Sequence, residues 1–108
     1  MQIELTFRNL EASDAIKTYA QEKLAKLDKY LRPPAEAHVA FSVERRLHCV
    51  DVSVHEGGGH YQGRAEEEDM YASIDLVVDK LLRQLHKNHH QHKNHRRGPA
   101  ADDDSPRE

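Results

Sequence analysis

The stretch EDMYASIDLVVDKLLRQL, Glu68 to Leu85, leaves little freedom in how it folds. Met70, Ile74, Val77, Val78, Leu81 and Leu85 recur at the spacing of a helix with one buried stripe. At about 100° per residue, with Met70 at zero, they fall between about −20° and +80°. Lys80, Arg83 and Lys87 fall at about 280°, 220° and 260°, a single cationic row. Asp75 and Asp79 fall at about 140° and 180°, on the other flank. A helix with one apolar stripe must bury it against a partner layer, and the rest of the chain supplies that layer.

QIELTFR alternates, with Ile3, Leu5 and Phe7 on one side and Glu4, Thr6 and Arg8 on the other, as in a half-buried strand. Ser13 then sits as an N-cap, with Asp14 in the first turn, where a carboxylate favours the helix dipole. Ile16, Ala20, Leu24, Leu27 and Leu31 repeat at helical spacing until Pro33 and Pro34 end the helix. EAHVAFSVE is a second strand, with Ala37, Val39, Phe41 and Val43 inward. RRLH reads as a basic connection and CVDVSVH as a third strand, with Val50, Val52 and Val54 inward and Cys49 outward. EGGG is a tight turn in which glycine supplies positive φ. HYQGRA is a short fourth strand with Tyr61, Gly63 and Ala65 inward, and EEED places acid before the last helix.

The order β-α-β-β-β-α predicts an α+β two-layer sandwich: a four-stranded sheet with both helices on one face. The other face, with Glu4, Ser42, Asp51, Ser53 and Gln62, is expected to be polar and wet. The domain is placed at residues 1–92. Residues 93–108, first His-rich and then acidic, are expected to form a disordered tail, because they lack apolar periodicity and contain Gly, Pro and an acid run.

Charge decides where a partner would dock. The net charge of −3 comes from 16 Lys+Arg and 19 Asp+Glu. Residues 98–108 hold Asp102, Asp103, Asp104 and Glu108 against Arg107, so residues 1–97 carry 15 bases (16 − 1) and 15 acids (19 − 4). Attraction to a polyanion must therefore come from the placement of cations, not their total. Lys23, Lys26 and Lys29 make a second row, at three-residue intervals on the first helix. Arg8, Arg32, Arg45 and Arg46 stand at element ends. For any single lysine, solvated surface is the simpler account; two rows on two helices favour a polyanion-binding face.

Other chemistries find little support. His86, His89, His90, His92 and His95 are dense, but no nearby Cys or Glu completes a shell, so no metal site is expected among them. Cys49 is the only cysteine and has no activating neighbour, which excludes an internal disulfide and argues against a catalytic thiol. No nucleophile, base and orienter converge, and EGGGH lacks the context of a phosphate loop, so neither an enzyme nor a cofactor or small-molecule substrate is expected. The N-terminus lacks the basic start and apolar run of a signal peptide, and no run spans a membrane; the expected location is cytoplasmic.

Asp69-Met70-Tyr71-Ala72, Ile74-Asp75, Asp79-Lys80-Leu81 and Arg83-Gln84-Leu85 together resemble the signature of the ribosome hibernation-promoting factor family. That family includes ribosome-associated inhibitor A (protein Y) and proteins once called sigma-factor modulators. The first thirty residues, MQIELTFRNLEASDAIKTYAQEKLAKLDKY, resemble its first strand and helix, and the likeness covers about residues 1–90. Part of the family fold resembles a double-stranded-RNA-binding domain. The resemblance implies a non-enzymatic protein, monomeric off the ribosome. It would bind the small ribosomal subunit and its ribosomal RNA in the channel for messenger and transfer RNA, and block translation in starvation or stationary phase. It further implies RNA contact by Lys23, Lys26 and Lys29, and by Lys80, Arg83 and Lys87; Arg8 and Arg32 complete the expected set. Two departures from the family pattern are expected to matter: ending near residue 108, the chain is expected to lack the extra C-terminal dimerisation domain of the long form, and it carries a His-rich, acidic tail absent from the shortest members. The alternative is a generic RNA-binding or transcription-associated modulator of the same fold.

Overall fold

The computed structural model describes residues 1–94, with side chains through Lys87. Its elements are β1 (Gln2–Arg8), α1 (Asp14–Leu24), a 3-10 helix (Ala25–Tyr30), β2 (Ala35–Glu44), β3 (Leu47–Glu56), β4 (Gly59–Glu67) and α2 (Met70–Asn94). The sheet order is β1-β2-β3-β4. β1 runs parallel to β2, and the other neighbours are antiparallel. The expected α+β sandwich is what forms. α2 reaches Asn94, two residues past the proposed domain boundary, and the expected tail from residue 95 onward lies outside the described residues.

Both helices press on one sheet face. Leu24, Leu27, Ile74, Leu81 and Leu85 from the helical layer close over Val39, Phe41, Val50, Val52 and Val54, all at most 2% exposed. Burying side chains of this size stabilises by about 1.5–3 kcal/mol each, before conformational entropy is set against it. α2 packs closely over Gly63 of β4, where an added Cβ would lie 3.2 Å from Val77 Cγ2 and 3.4 Å from Leu81 Cγ. The missing side chain is what lets the helix approach β4.

The caps follow from the sequence. Ser13 has extended φ (−126°), and its Oγ accepts from the Ile16 amide at 3.3 Å. Asp69 Oδ2 accepts from the Ala72 amide at 3.2 Å, so the acid before α2 is its N-cap. Ser73, fully buried, donates to the His48 carbonyl at 2.6 Å.

Four local expectations are corrected. The first helix stops being α-helical at Leu24 and tightens into the 3-10 form through Tyr30. Three residues per turn keep Leu24, Leu27 and Tyr30 in register over the core, which the wider α-helical turn would not. The connection between β2 and β3 is only Arg45–Arg46, because Leu47 and His48 pair with Glu44 and Val43. β4 extends to Glu67 in the same way, by pairing with His48. Finally, the Gly57–Gly58 turn forms with neither glycine in the left-handed region; the non-glycine residues found there are Asn9 (61°) and Arg45 (58°).

The open face is polar but not uniformly wet. Cys49 points to that side, as expected, yet is fully buried. Arg64 spans the strands there, 2.6 Å from Asp51 and 2.7 Å from Glu66, and Glu44 lies within 4.0 Å. Burial and the neighbouring Glu66 raise the Cys49 thiol pKa, which keeps it protonated and unreactive.

Candidate nucleic-acid interface

The 3-10 helix and the second half of α2 meet at Tyr30 and His86, whose rings contact edge-to-face with centroids 4.8 Å apart. This joint brings cations from two distant segments to one end of the molecule. Lys26 and Lys29, three residues apart on the 3-10 helix, lie on one side of it. Lys29 Nζ sits 5.5 Å from the Tyr30 ring centroid. Arg32 follows at once, its backbone amide held by the Glu56 carboxylate at the β3–β4 hairpin. Arg83 and Lys87 are exposed on α2 beside His86. None of these five side chains has a carboxylate partner among the described residues.

The remaining expected residues stand elsewhere. Lys23 lies between the helices, 3.8 Å from Asp75 and 5.2 Å from the Tyr19 ring centroid. Lys80 Nζ donates to the Arg64 carbonyl at 2.8 Å, and Gln84, one turn on, donates to the Gln62 carbonyl at 2.8 Å. Both cap outward carbonyls of β4, the edge strand beside α2. Arg8 is at the far end of β1, whose register runs from Gln2↔Glu36 to Arg8↔Ser42. Six strand residues separate it from the pole by about 20 Å. The two rows are thus not one continuous stripe: the α2 flank carrying Asp75 faces α1, and Arg83 and Lys87 lie around the helix from it.

A cation in the last turn of a helix gains about 0.3–1 kcal/mol, which accounts for Lys29 on the 3-10 helix but not for Arg83 and Lys87, which lie well before the end of α2 at Asn94. That effect acts on each helix alone and does not require both sets to share one joint. Exposed Lys and Arg without carboxylate partners suit phosphate groups, which need charge rather than base-specific geometry. The Tyr30–His86 joint was not singled out from the sequence; the three-residue repeat of Lys23, Lys26 and Lys29 beside Leu24, Leu27 and Tyr30 was its available signal.

A second cluster, Glu44, Cys49 and Glu66, brings its donor atoms within 4.8 Å of one another. The Arg64 guanidinium already supplies the positive charge there, paired to Glu66 and near Glu44.

Fold and pole define a small α+β domain with a cationic end and no helix among the described residues long and apolar enough to cross a membrane. The sequence model of the Sigma 54 modulation protein / S30EA ribosomal protein family matches residues 3–93, and the chain belongs to that family. The Ribosome hibernation promoting factor of Escherichia coli (strain K12) is 38% identical over 95 residues, 88% of this chain and 100% of that protein. The protein of the same name from Azotobacter vinelandii is 36% identical over 87 residues, 81% of each chain. Among solved structures, the Thermus thermophilus Protein Y N-terminal domain superposes with a TM-score of 0.74 at 38% identity, over 79% of this chain and 96% of that one. A ribosomal subunit interface protein from Coxiella burnetii gives 0.73 at 28% identity, over 83% and 99%.

Proposed function

We propose that this chain is a ribosome hibernation factor. It docks on the small ribosomal subunit, lays its cationic pole against ribosomal RNA in the messenger and transfer RNA channel, and holds the ribosome idle in stress or stationary phase. It acts in the cytoplasm, as a monomer off the ribosome, by occupying space rather than by catalysis. Family membership and the names of its relatives support the ribosomal role. The observation that carries the RNA contact is the Tyr30–His86 joint, which brings the segment bearing Lys26, Lys29 and Arg32 against the part of α2 bearing Arg83 and Lys87, none of them with a carboxylate partner among the described residues.

The family description also contains sigma-54 modulation, which favours a second reading as a transcription-associated modulator. Sedimentation separates the two. Purified small and large subunits are mixed with the protein and pelleted through sucrose over a range of salt. Our reading expects near-stoichiometric recovery with the small subunit and little with the large. Neutralising about five phosphates should give a log–log salt slope of about −3.5 to −4.5. Failure to pellet with either subunit, or equal recovery with both, contradicts it.

A further inference from the structure

The two rings of the Tyr30–His86 joint are not equivalent. Tyr30, the last residue of the 3-10 helix, is partly buried and packs against the core. His86, on α2, is exposed. Their planes stand at 78°. In an edge-to-face pair only one ring presents a face to the other, so Tyr30 covers at most one face of the imidazole. The backbone beneath that imidazole is fixed: Leu85, next to it, is 1% exposed, and Leu82, one turn before it, also packs against the core. Cations stand beside the ring. Arg83 is three residues back on α2, a spacing that brings side chains to one surface, and Lys87 follows directly. From the other segment, Lys29 Nζ lies 5.5 Å from the Tyr30 ring centroid. Asp28, the acid on that segment, is paired with the N-terminal ammonium at 3.2 Å. Two other exposed ring pairs lack this company. Tyr19 and Tyr71 flank Asp75, and the His55–His60 pair stands beside Glu36, the cross-strand partner of His55.

We infer that the exposed His86 ring stacks on an unpaired base of a single-stranded RNA segment, whose phosphates are held by Lys29, Arg83 and Lys87. This rests on the RNA contact proposed for the pole and narrows it from RNA in general to unpaired nucleotides. A base inside a duplex has both faces covered by its neighbours, so a side-chain ring can stack only on a base that has left the helix. Imidazole is among the rings that serve this purpose in RNA recognition. Lysine and arginine alone would hold paired and unpaired strands alike, because phosphate charge is common to both. A ring set among them adds attraction for the unpaired strand only. Every base offers a π-face, so the stack distinguishes unpaired from paired nucleotides and hardly distinguishes one base from another. Tyr30 supports the site from behind: its contact with the imidazole limits the orientations the ring must give up on binding.

Fluorescence anisotropy at low salt compares three labelled probes on the full chain. They are an oligouridylate of about ten nucleotides, an abasic ribose-phosphate strand of the same length, and the duplex of that oligouridylate with oligoadenylate. The oligouridylate should bind about tenfold more tightly than the abasic strand, which has the same charge and no base. His86→Ala should remove that advantage and leave the abasic strand and the duplex bound as before. His86→Phe keeps a ring and carries no charge, so it should retain the advantage. The stack is overturned if the parent binds the oligouridylate and the abasic strand equally, or if the advantage survives in His86→Ala. It is also overturned if His86→Ala weakens all three probes alike, the mark of a joint that is structural only, or if His86→Phe behaves as His86→Ala does. The Arg83→Glu, Lys87→Glu chain tests the underlying reading separately. Loss of all three probes upholds the pole even where the base advantage is absent. Undiminished binding of all three, or no binding by the parent, overturns the pole and the stack with it.

Discussion

Tyr19 on α1 donates its phenol hydroxyl to Asp75 Oδ1 on α2 across 2.7 Å, the polar clasp between the two helices. Lys23 approaches the same carboxylate, and Tyr71 packs edge-to-face on Tyr19 at 5.0 Å. The carboxylate flank of α2 is, at Asp75, a helix–helix contact. This explains part of the charge segregation on that helix: Asp75 answers α1, while Arg83 and Lys87 lie further around on the exposed face.

The clasp carries a pH signature. The bond to Asp75, with lesser contributions from burial and that carboxylate's charge, raises the Tyr19 pKa. A raised pKa means that the folded state holds the proton more tightly than the unfolded one. The contribution is therefore complete below the unfolded value of about 10 and is lost as pH rises through the folded one. Urea midpoints measured from pH 8 to 11 should fall with pH, and fall less steeply in Tyr19→Phe. Asp75→Lys should lower the midpoint at neutral pH, because it removes the acceptor and places a cation beside Lys23.

Gly63→Val should destabilise the domain by about 1–3 kcal/mol, by forcing α2 off the sheet at Val77 and Leu81. Chemical denaturation measures it, and a cost below about 0.5 kcal/mol would show that the helix shifts freely.

Lys80→Glu should cost about 0.5–1 kcal/mol, since the Arg64 carbonyl on the edge of β4 loses its donor and faces an acid. Hydrogen exchange should locate the loosening at β4. Its effect on ribosome association should be smaller than that of reversing Arg83.

Much of the architecture could be read from period alone. Strand alternation and the apolar stripe of α2 yielded the element order, the buried faces and the Ser13 cap, because each rests on local geometry. What escaped depended on contacts between distant segments. Tyr19 and Asp75 are separated by 56 positions, and no pattern links them. The 3-10 form was visible in principle, since leucine, tyrosine and lysine repeat every three residues there, but an α-helix tolerates the same apolar set for a turn. Positive φ was assigned to glycines and is instead taken by Asn9 and Arg45, where pairing on both sides closes the Arg45–Arg46 hairpin in two residues. The candidate site divides in the same way. The cations could be named from the sequence, but their grouping awaited the Tyr30–His86 joint, and that joint leaves Lys23, Lys80 and Arg8 away from the pole.

Arg45→Gly should stabilise the fold by about 0.5–1 kcal/mol. Glycine adopts φ near 58° without the penalty an arginine meets, partly offset by its freer unfolded chain. A thermal melt reads the shift, and a lower melting temperature would mean that the Arg45 side chain contributes more than its backbone costs.

The central claim is that the cationic pole holds the protein on the small ribosomal subunit. Its most direct test is sedimentation of the Arg83→Glu, Lys87→Glu chain with purified small subunits, beside the parent. Both side chains are exposed and off the apolar stripe, so circular dichroism and the melting temperature should stay close to the parent's. Each reversal turns an attraction to phosphate into a repulsion at the same joint. The account predicts that the doubly reversed chain stays in the supernatant while the parent pellets with the subunit. Recovery of the variant equal to the parent's would contradict it, and would reduce Arg83 and Lys87 to solvated surface.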